Sequence, residues 1–143
     1  MPTRRPSPTV VLAVGTLLLL AGCSEKSSSS TAAPPDIRGK WNMVAVANGV
    51  SFPQQLAFPT ESASGAVTGT DTGTGGASTT SVFAATGTLR GNTLTLTLTL
   101  ASIHYTSQSV GTIAGTGNSR TLSGTFTDSN NAHGTYTATF VPA

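Results

Sequence analysis

Residues 93–100 have the sequence Thr93-Leu94-Thr95-Leu96-Thr97-Leu98-Thr99-Leu100. Successive side chains of a β-strand point to opposite faces of a sheet. The strict alternation therefore predicts a half-buried strand, with its leucines facing a core and its threonines facing solvent. An α-helix would instead spread the same leucines around its whole circumference.

The same two-residue period recurs elsewhere in the chain. Beyond Leu100 the apolar residues change parity, because Ile103 and Tyr105 follow the other phase. A β-bulge or bend near Ala101-Ser102 would explain this change. Further strands are predicted over residues 41–45, 83–89, 121–127 and 134–140.

Two segments give a weaker pattern. Phe52, Leu56 and Phe58 alternate, but Pro53 interrupts them, which favours an edge strand or a loop. Residues 60–80 are rich in glycine, threonine and serine and contain few core residues. They predict either one weak strand around Ala66-Val67 or a long mobile loop.

Turn residues connect the predicted strands. Gly91-Asn92 indicates a tight hairpin, and residues 117–119 and 128–131 indicate two further connections. Short strands joined by hairpins are typical of an antiparallel meander. Because closure removes exposed sheet edges, we predict an all-β fold, a small up-and-down barrel of about eight strands. A two-sheet sandwich is the alternative.

The N-terminal segment has the features of a secretory signal. Arg4 and Arg5 precede an apolar run over residues 10–20, which is too short for a membrane span of about 20 residues. Small residues follow, and Leu20-Ala21-Gly22 directly precedes Cys23, the single cysteine of the chain. This arrangement resembles the lipobox of bacterial lipoproteins.

The resemblance implies that residues 1–22 are a cleaved lipoprotein signal peptide. Signal peptidase would recognise Leu20, Ala21 and Gly22, and acyl chains such as palmitate on Cys23 would hold the protein on a membrane. The implied location is the bacterial cell envelope. Ser24 in place of an aspartate favours the outer membrane in a host that has one. The alternative is an uncleaved N-terminal anchor with an incidental cysteine.

Composition limits the classes of partner. The whole chain has a formal charge of +2, which Arg4 and Arg5 supply, so the chain from Cys23 onward is neutral. A neutral domain in which hydroxyl groups replace charges has no basic patch for nucleic acid. Residues 23–36 are rich in serine, alanine and proline and predict a flexible tether behind the lipidated cysteine. Residues 37–143 have the length of one small domain.

The first predicted strand opens with Gly39-Lys40-Trp41. This Gly-x-Trp pattern resembles the first-strand motif of lipocalin-like and avidin-like small β-barrels. The resemblance implies that Gly39 and Trp41 close one end of a barrel. Those families often pair the tryptophan with an arginine near the end of the barrel, and here no arginine follows Arg120. The simplest alternative is that Trp41 is an ordinary core aromatic residue.

The sequence offers no recognisable catalytic chemistry. His104 and His133 are the two histidines, which is fewer than the three or four ligands of a typical zinc site. Serines are too abundant to define a triad, and the acidic residues are too dispersed to define a carboxylate pair. We therefore predict a protein without catalytic residues, metal or cofactor, which is not an enzyme.

Two functions remain. The first is a non-catalytic binding module for a small apolar ligand or an envelope protein partner. Its site would lie at the open end of the barrel, near residues 60–80 and His104. The alternative is a structural, envelope-associated β-protein whose large side chains fill the interior and leave no cavity.

Overall fold

Eight antiparallel strands follow one another around a closed barrel in chain order, and β1 completes the circle by pairing with β8. The computed structural model describes residues 34–73 and 80–143. It confirms the up-and-down barrel and excludes the sandwich. The strands are β1 (Gly39–Ala47), β2 (Val50–Glu61), β3 (Ala66–Gly73), β4 (Ser81–Arg90), β5 (Thr93–Leu100), β6 (Tyr105–Ala114), β7 (Thr121–Asp128) and β8 (His133–Val141).

The alternation of β5 sets the pattern of the whole barrel. Leu94, Leu96 and Leu98 are buried, while Leu100 at the end of the strand is half-buried. The intervening threonines face outward, and Thr97 alone among them is partly covered. The structure thus confirms the predicted inside and outside faces of this strand.

The prediction of an edge strand or loop around Pro53 was wrong. β2 has 12 residues and pairs with both β1 and β3. Pro53 is tolerated because the β2–β3 pairing starts only at Gln54. Pro59 lies beyond the end of the β1 pairing and inside the register shift between Ala57 and Thr60. Both prolines therefore occupy places where one neighbouring ladder is absent or interrupted.

The glycine-rich segment contains a full strand. β3 extends the predicted weak strand at Ala66-Val67 to Gly73 and pairs with β2 and β4. It also buries Val67 and Asp71, so the expectation that this segment contributes little to the core was wrong. Residues 74–79 lie outside the described part of the chain.

The change of parity after Leu100 reflects a chain reversal and not a bulge. A 3-10 turn over Ala101–Ile103 and His104, which has a φ of 54°, connect β5 to β6. A second 3-10 turn, Gly117–Ser119, connects β6 to β7. In the part of the chain that the structure describes, no helix is long and apolar enough to cross a membrane.

Inward-facing glycines make room for aromatic rings from neighbouring strands. A Cβ atom placed on Gly69 would collide with the backbone oxygen of Ala57 and lie 2.9 Å from the ring of Phe58. One on Gly134 would collide with the backbone oxygen of Val46 and lie 2.9 Å from the ring of Phe126. A Cβ on Gly111 would collide with the hydroxyl of Tyr136. The glycines of the strands therefore determine where the large rings of the interior can lie.

The two faces of β5 should respond differently to truncation. We expect Leu94→Ala to lower the free energy of unfolding by about 2–5 kcal/mol, because Leu94 is fully buried. Thr95→Ala on the exposed face should change it by less than about 1 kcal/mol. Urea unfolding followed by tryptophan fluorescence measures both. Equal losses in the two variants would contradict a barrel with a solvated outer face.

Candidate functional site

The two ends of the barrel differ in their side chains. The closed end contains the start of β1, the end of β8 and the β2–β3, β4–β5 and β6–β7 connections. The other end, here called the mouth, contains the β1–β2 turn, the end of β3, the start of β4, and the β5–β6 and β7–β8 connections. This division decides where a small molecule can enter.

Trp41 fills the closed end. It is completely buried, and its indole Nε1 donates a hydrogen bond of 2.9 Å to the backbone oxygen of Ile37. The Phe140 ring meets the indole edge-to-face, with the ring centroids 5.4 Å apart. Ile37 is itself buried, and its backbone N–H donates to Glu61 Oε2. Trp41 is therefore a plug, as the Gly-x-Trp resemblance implies.

Gly39 and Arg120 complete this closure. Gly39 has a φ of 121°, and a Cβ there would lie 2.6 Å from a Phe140 ring atom, so a glycine is needed. The Arg120 guanidinium lies 3.9 Å from the centroid of Phe140 and 5.6 Å from that of Trp41. The arginine partner of the tryptophan is thus present, but it directly precedes β7 and does not come from the last strand.

A cavity of about 260 Å³ opens at the mouth. The closed end is packed with large side chains, whereas the mouth end of β1 carries only Ala45 and Ala47 on its inner face. The cavity is mostly apolar, and most of its polar groups lie on β6, β7 and β8, whereas Asn48 lies in the β1–β2 turn and Gln54 on β2. Its lining consists of Met43, Ala45, Ala47, Asn48, Val50, Phe52, Gln54, Leu96, Leu98, Tyr105, Ser107, Ser109, Phe126, Asp128, Ala132 and Tyr136.

Three hydroxyl groups line one wall of this cavity. Tyr136, Ser107 and Ser109 are 4%, 5% and 9% exposed. Among the described residues the Tyr136 hydroxyl has no hydrogen-bond partner. Burial raises the pKa of Tyr136, and the nearby Ser109 hydroxyl only partly opposes that rise. A buried hydroxyl without a partner costs about 1–3 kcal/mol, which a ligand with a polar group can recover.

Tyr105 and Asp128 form the rim of the cavity. The Tyr105 hydroxyl donates a hydrogen bond of 3.1 Å to Asp128 Oδ2. Asp128 Oδ1 accepts from the backbone N–H groups of Asn130 and Ala132, which shapes the β7–β8 loop. Burial, followed by the Asp128 charge, raises the pKa of Tyr105 to about 12. Asp128 therefore positions both an aromatic wall and a rim loop.

Asp71 is an acid in the barrel interior. It is 0% exposed and pairs across the sheet with Leu56 and Phe83. Neither carboxyl oxygen has a hydrogen-bond partner among the described residues. Burial raises the pKa of Asp71 to about 7, and the neighbouring Thr72 N–H only partly opposes this rise. The carboxyl group therefore changes charge near neutral pH inside an apolar interior.

The structure brings together only part of the predicted site. His104 lies at the mouth but is exposed and does not line the cavity, and His133 is likewise exposed. Leu20, Ala21, Gly22 and Cys23 lie outside the described residues. No group of three or more potential metal ligands occurs within residues 34–73 and 80–143.

Sequence reasoning missed Asp71, Ser107 and Ser109. A usable signal existed for the serines, because a reversal before Tyr105 puts residues 105, 107 and 109 on the inner face of β6. The dipeptide Asn48-Gly49 is a further missed signal, since both residues have positive φ and form the tight β1–β2 turn at the mouth. Asp71 carries no local signal that separates it from a loop aspartate.

Comparison with known proteins yields a fold and no family. No protein-family model matches the sequence, and no curated protein matches it. A redesigned β-barrel is similar in structure, with a TM-score of 0.60 and 16% identity over 73% of this chain and 91% of the other. At this level of identity the similarity shows a shared fold alone. A redesigned β-barrel bound to DFHBI has a TM-score of 0.56 and 20% identity over 71% and 93%.

Avidin-like barrels share the same architecture. A shwanavidin variant in complex with biotin has a TM-score of 0.55 and 13% identity, covering 74% of this chain and 98% of the other. Apo shwanavidin has a TM-score of 0.55 and 15% identity over 77% and 100%. The resemblance inferred from Gly39 and Trp41 is thus confirmed for the fold of avidin-like barrels.

The buried carboxyl group should make stability depend on pH. Between about pH 4 and about pH 7 the folded chain keeps a proton on Asp71 that the unfolded chain releases. The free energy of unfolding should therefore fall by about 1.4 kcal/mol per pH unit across this range and level off above it. Asp71→Asn should remove this decline and stabilise the protein at about pH 8 by a few kcal/mol.

Urea unfolding at a series of pH values from about 4 to 8 measures this dependence. Asp36→Asn is the control. The exposed ion pair between Asp36 and Arg38 lowers the pKa of Asp36 to about 2, so this residue changes the free energy of unfolding only below about pH 4. A wild-type decline that persists unchanged in Asp71→Asn would show that another group causes it.

Proposed function

We propose that this protein is a lipid-anchored binding module of the bacterial envelope, whose barrel holds a small, largely apolar molecule. The supporting observation is the cavity of about 260 Å³ at the mouth. Apolar and aromatic walls with a few polar groups are typical of small-molecule sites. The Tyr136 hydroxyl, which has no hydrogen-bond partner among the described residues, gives such a molecule a point of orientation.

The cavity favours binding over a structural role. A structural β-protein needs a filled interior, and the closed end shows how this chain fills one, with Trp41, Leu56 and Phe58 all completely buried. Near the mouth the chain instead places Ala45, Ala47 and Ser109 on the inner face. Small side chains at these positions leave an empty space and lose packing contacts. A molecule bound in that space would restore those contacts.

The proposed role is binding without catalysis. The ionisable side chains among the residues lining the cavity are Asp128, Tyr105 and Tyr136. Asp128 is engaged by Tyr105 and two backbone N–H groups, and burial moves the pKa of both tyrosines further from neutrality. Neither tyrosine is therefore poised to exchange a proton near neutral pH.

The anchor in this proposal rests on the sequence. Leu20, Ala21 and Gly22 directly precede Cys23 in the order that the lipobox resemblance requires. Two or three acyl chains on one residue would hold the protein on a membrane stably, since a single chain binds only marginally.

Filling the cavity should abolish ligand binding. N-phenyl-1-naphthylamine, a neutral dye that fluoresces in apolar surroundings, is a suitable probe. Ala47→Phe places a ring in the mouth, and we expect it to reduce binding of the dye at least about tenfold while preserving the fold. Val44→Phe, on the outer face of the same strand, should bind like the wild type. Equal dye binding by both variants would move the dye to a site outside the cavity and count against the proposal.

Removing the cysteine should release the protein from the membrane. In a bacterial host the wild-type chain should fractionate with membranes and give an intact mass that starts at Cys23 and includes acyl chains. Cys23→Ser should abolish the acyl mass and move the protein to the soluble fraction. Ser24→Ala is the matched control and should remain acylated. Unchanged membrane retention of Cys23→Ser would refute the lipid anchor and leave the cavity proposal standing.

A further inference from the structure

We propose that the molecule held in the cavity is an organic cation, an apolar body that carries a substituted ammonium group. This inference rests on the proposed binding function and adds the charge class of the ligand. It is carried by three observations: where the barrel places its charges, which rings line the cavity, and which polar atoms lack partners.

The charges of the barrel are divided between its two ends. The closed end holds two of the four described carboxylates, Asp36 near the start of β1 and Glu61 at the end of β2. The other two carboxylates of the described residues, Asp71 and Asp128, lie in the interior and at the mouth. All lysines and arginines of the described residues lie at the closed end: Arg38, Lys40, Arg90 and Arg120.

A cation is attracted into such a barrel and an anion is repelled. The barrel is neutral as a whole, so the separation of charge makes the mouth negative relative to the closed end. Within residues 34–73 and 80–143, no lysine, arginine or histidine lines the cavity. An anionic ligand would therefore be desolvated without any cationic partner.

The walls supply the contacts that a substituted ammonium group prefers. Four aromatic residues line the cavity, namely Phe52, Tyr105, Phe126 and Tyr136, and they come from four different strands. The negative faces of aromatic rings attract cations, and rings gathered around one space are the usual way in which proteins bind ammonium groups. An apolar body would meanwhile contact Met43, Leu96 and Leu98.

The unpartnered polar atoms favour the same class. Asp71 is completely buried, and among the described residues its carboxyl oxygens have neither a hydrogen-bond partner within bonding geometry nor a countercharge. It lies outside the lining but pairs across the sheet with Phe83, whose ring meets the lining residue Tyr105 edge-to-face with the ring centroids 5.6 Å apart. A cation in the cavity supplies the countercharge that the described residues lack. The Tyr136, Ser107 and Ser109 hydroxyls can in addition accept hydrogen bonds from an ammonium N–H.

An isosteric pair of probes tests the charge class directly. Phenyltrimethylammonium and tert-butylbenzene have nearly the same shape, because one quaternary nitrogen replaces one quaternary carbon. Each is titrated by calorimetry at about pH 8 into the unlipidated chain from residue 23, which contains all eight strands. We expect the cation to bind at least about tenfold more tightly than its neutral isostere.

Variants then locate the source of the preference. Asp71→Asn and Asp128→Asn should each reduce the preference for the cation several-fold, and the buried Asp71→Asn keeps the shape of the interior. Asp36→Asn removes the same charge at the closed end and should leave the preference unchanged. Because Asp128 shapes the β7–β8 loop, its substitution can rearrange that loop. The Asp71→Asn variant then tests the preference independently.

The outcomes separate the two proposals. If the neutral isostere binds as tightly as the cation, the charge class is wrong, while the binding cavity stands. If Asp36→Asn weakens the cation as much as Asp71→Asn does, the preference comes from overall charge, and the inference is overturned. If neither probe binds and N-phenyl-1-naphthylamine also fails to bind, the proposed function falls with it.

Discussion

The number of strands sets the width of this barrel, and the size of the inward side chains decides which parts of it are solid. An eight-stranded barrel has an interior that side chains can just fill. At one end Trp41, Ile37, Leu56 and Phe58 fill it completely. At the other end alanine and serine face inward, and a cavity remains. One fixed scaffold thus combines a stable core with a potential binding site.

Much of the scaffold could be predicted from local patterns. The alternation over residues 93–100 is a direct consequence of the geometry of a strand with one solvated face, and the glycine-rich turns set its connections. β2 and β3 were harder to predict for a physical reason. The local signal of Pro53 argues against a strand, and only the lengths of the neighbouring strands determine that its missing N–H is harmless.

The site was less predictable than the scaffold. Gly39 and Trp41 form a short local motif, so their closing role could be anticipated. The position of Arg120 over Trp41 brings together residues far apart in the chain and depends on the closure of β8 onto β1. The cavity is the part of the barrel interior that the inward-facing side chains do not fill. It depends on Gly111 and Gly134, over which the rings of Tyr136 and Phe126 lie, and no single stretch of sequence contains that information.

Both ends of the barrel chain emerge at the closed end. Lys40 pairs with Val141, and the Gly91-Asn92 turn reverses the chain at the same end. Joining the first and last strands with a short linker and opening the chain at this turn would give a circular permutant with an unaltered mouth. The first and last strands of the barrel therefore meet at the pole opposite the cavity.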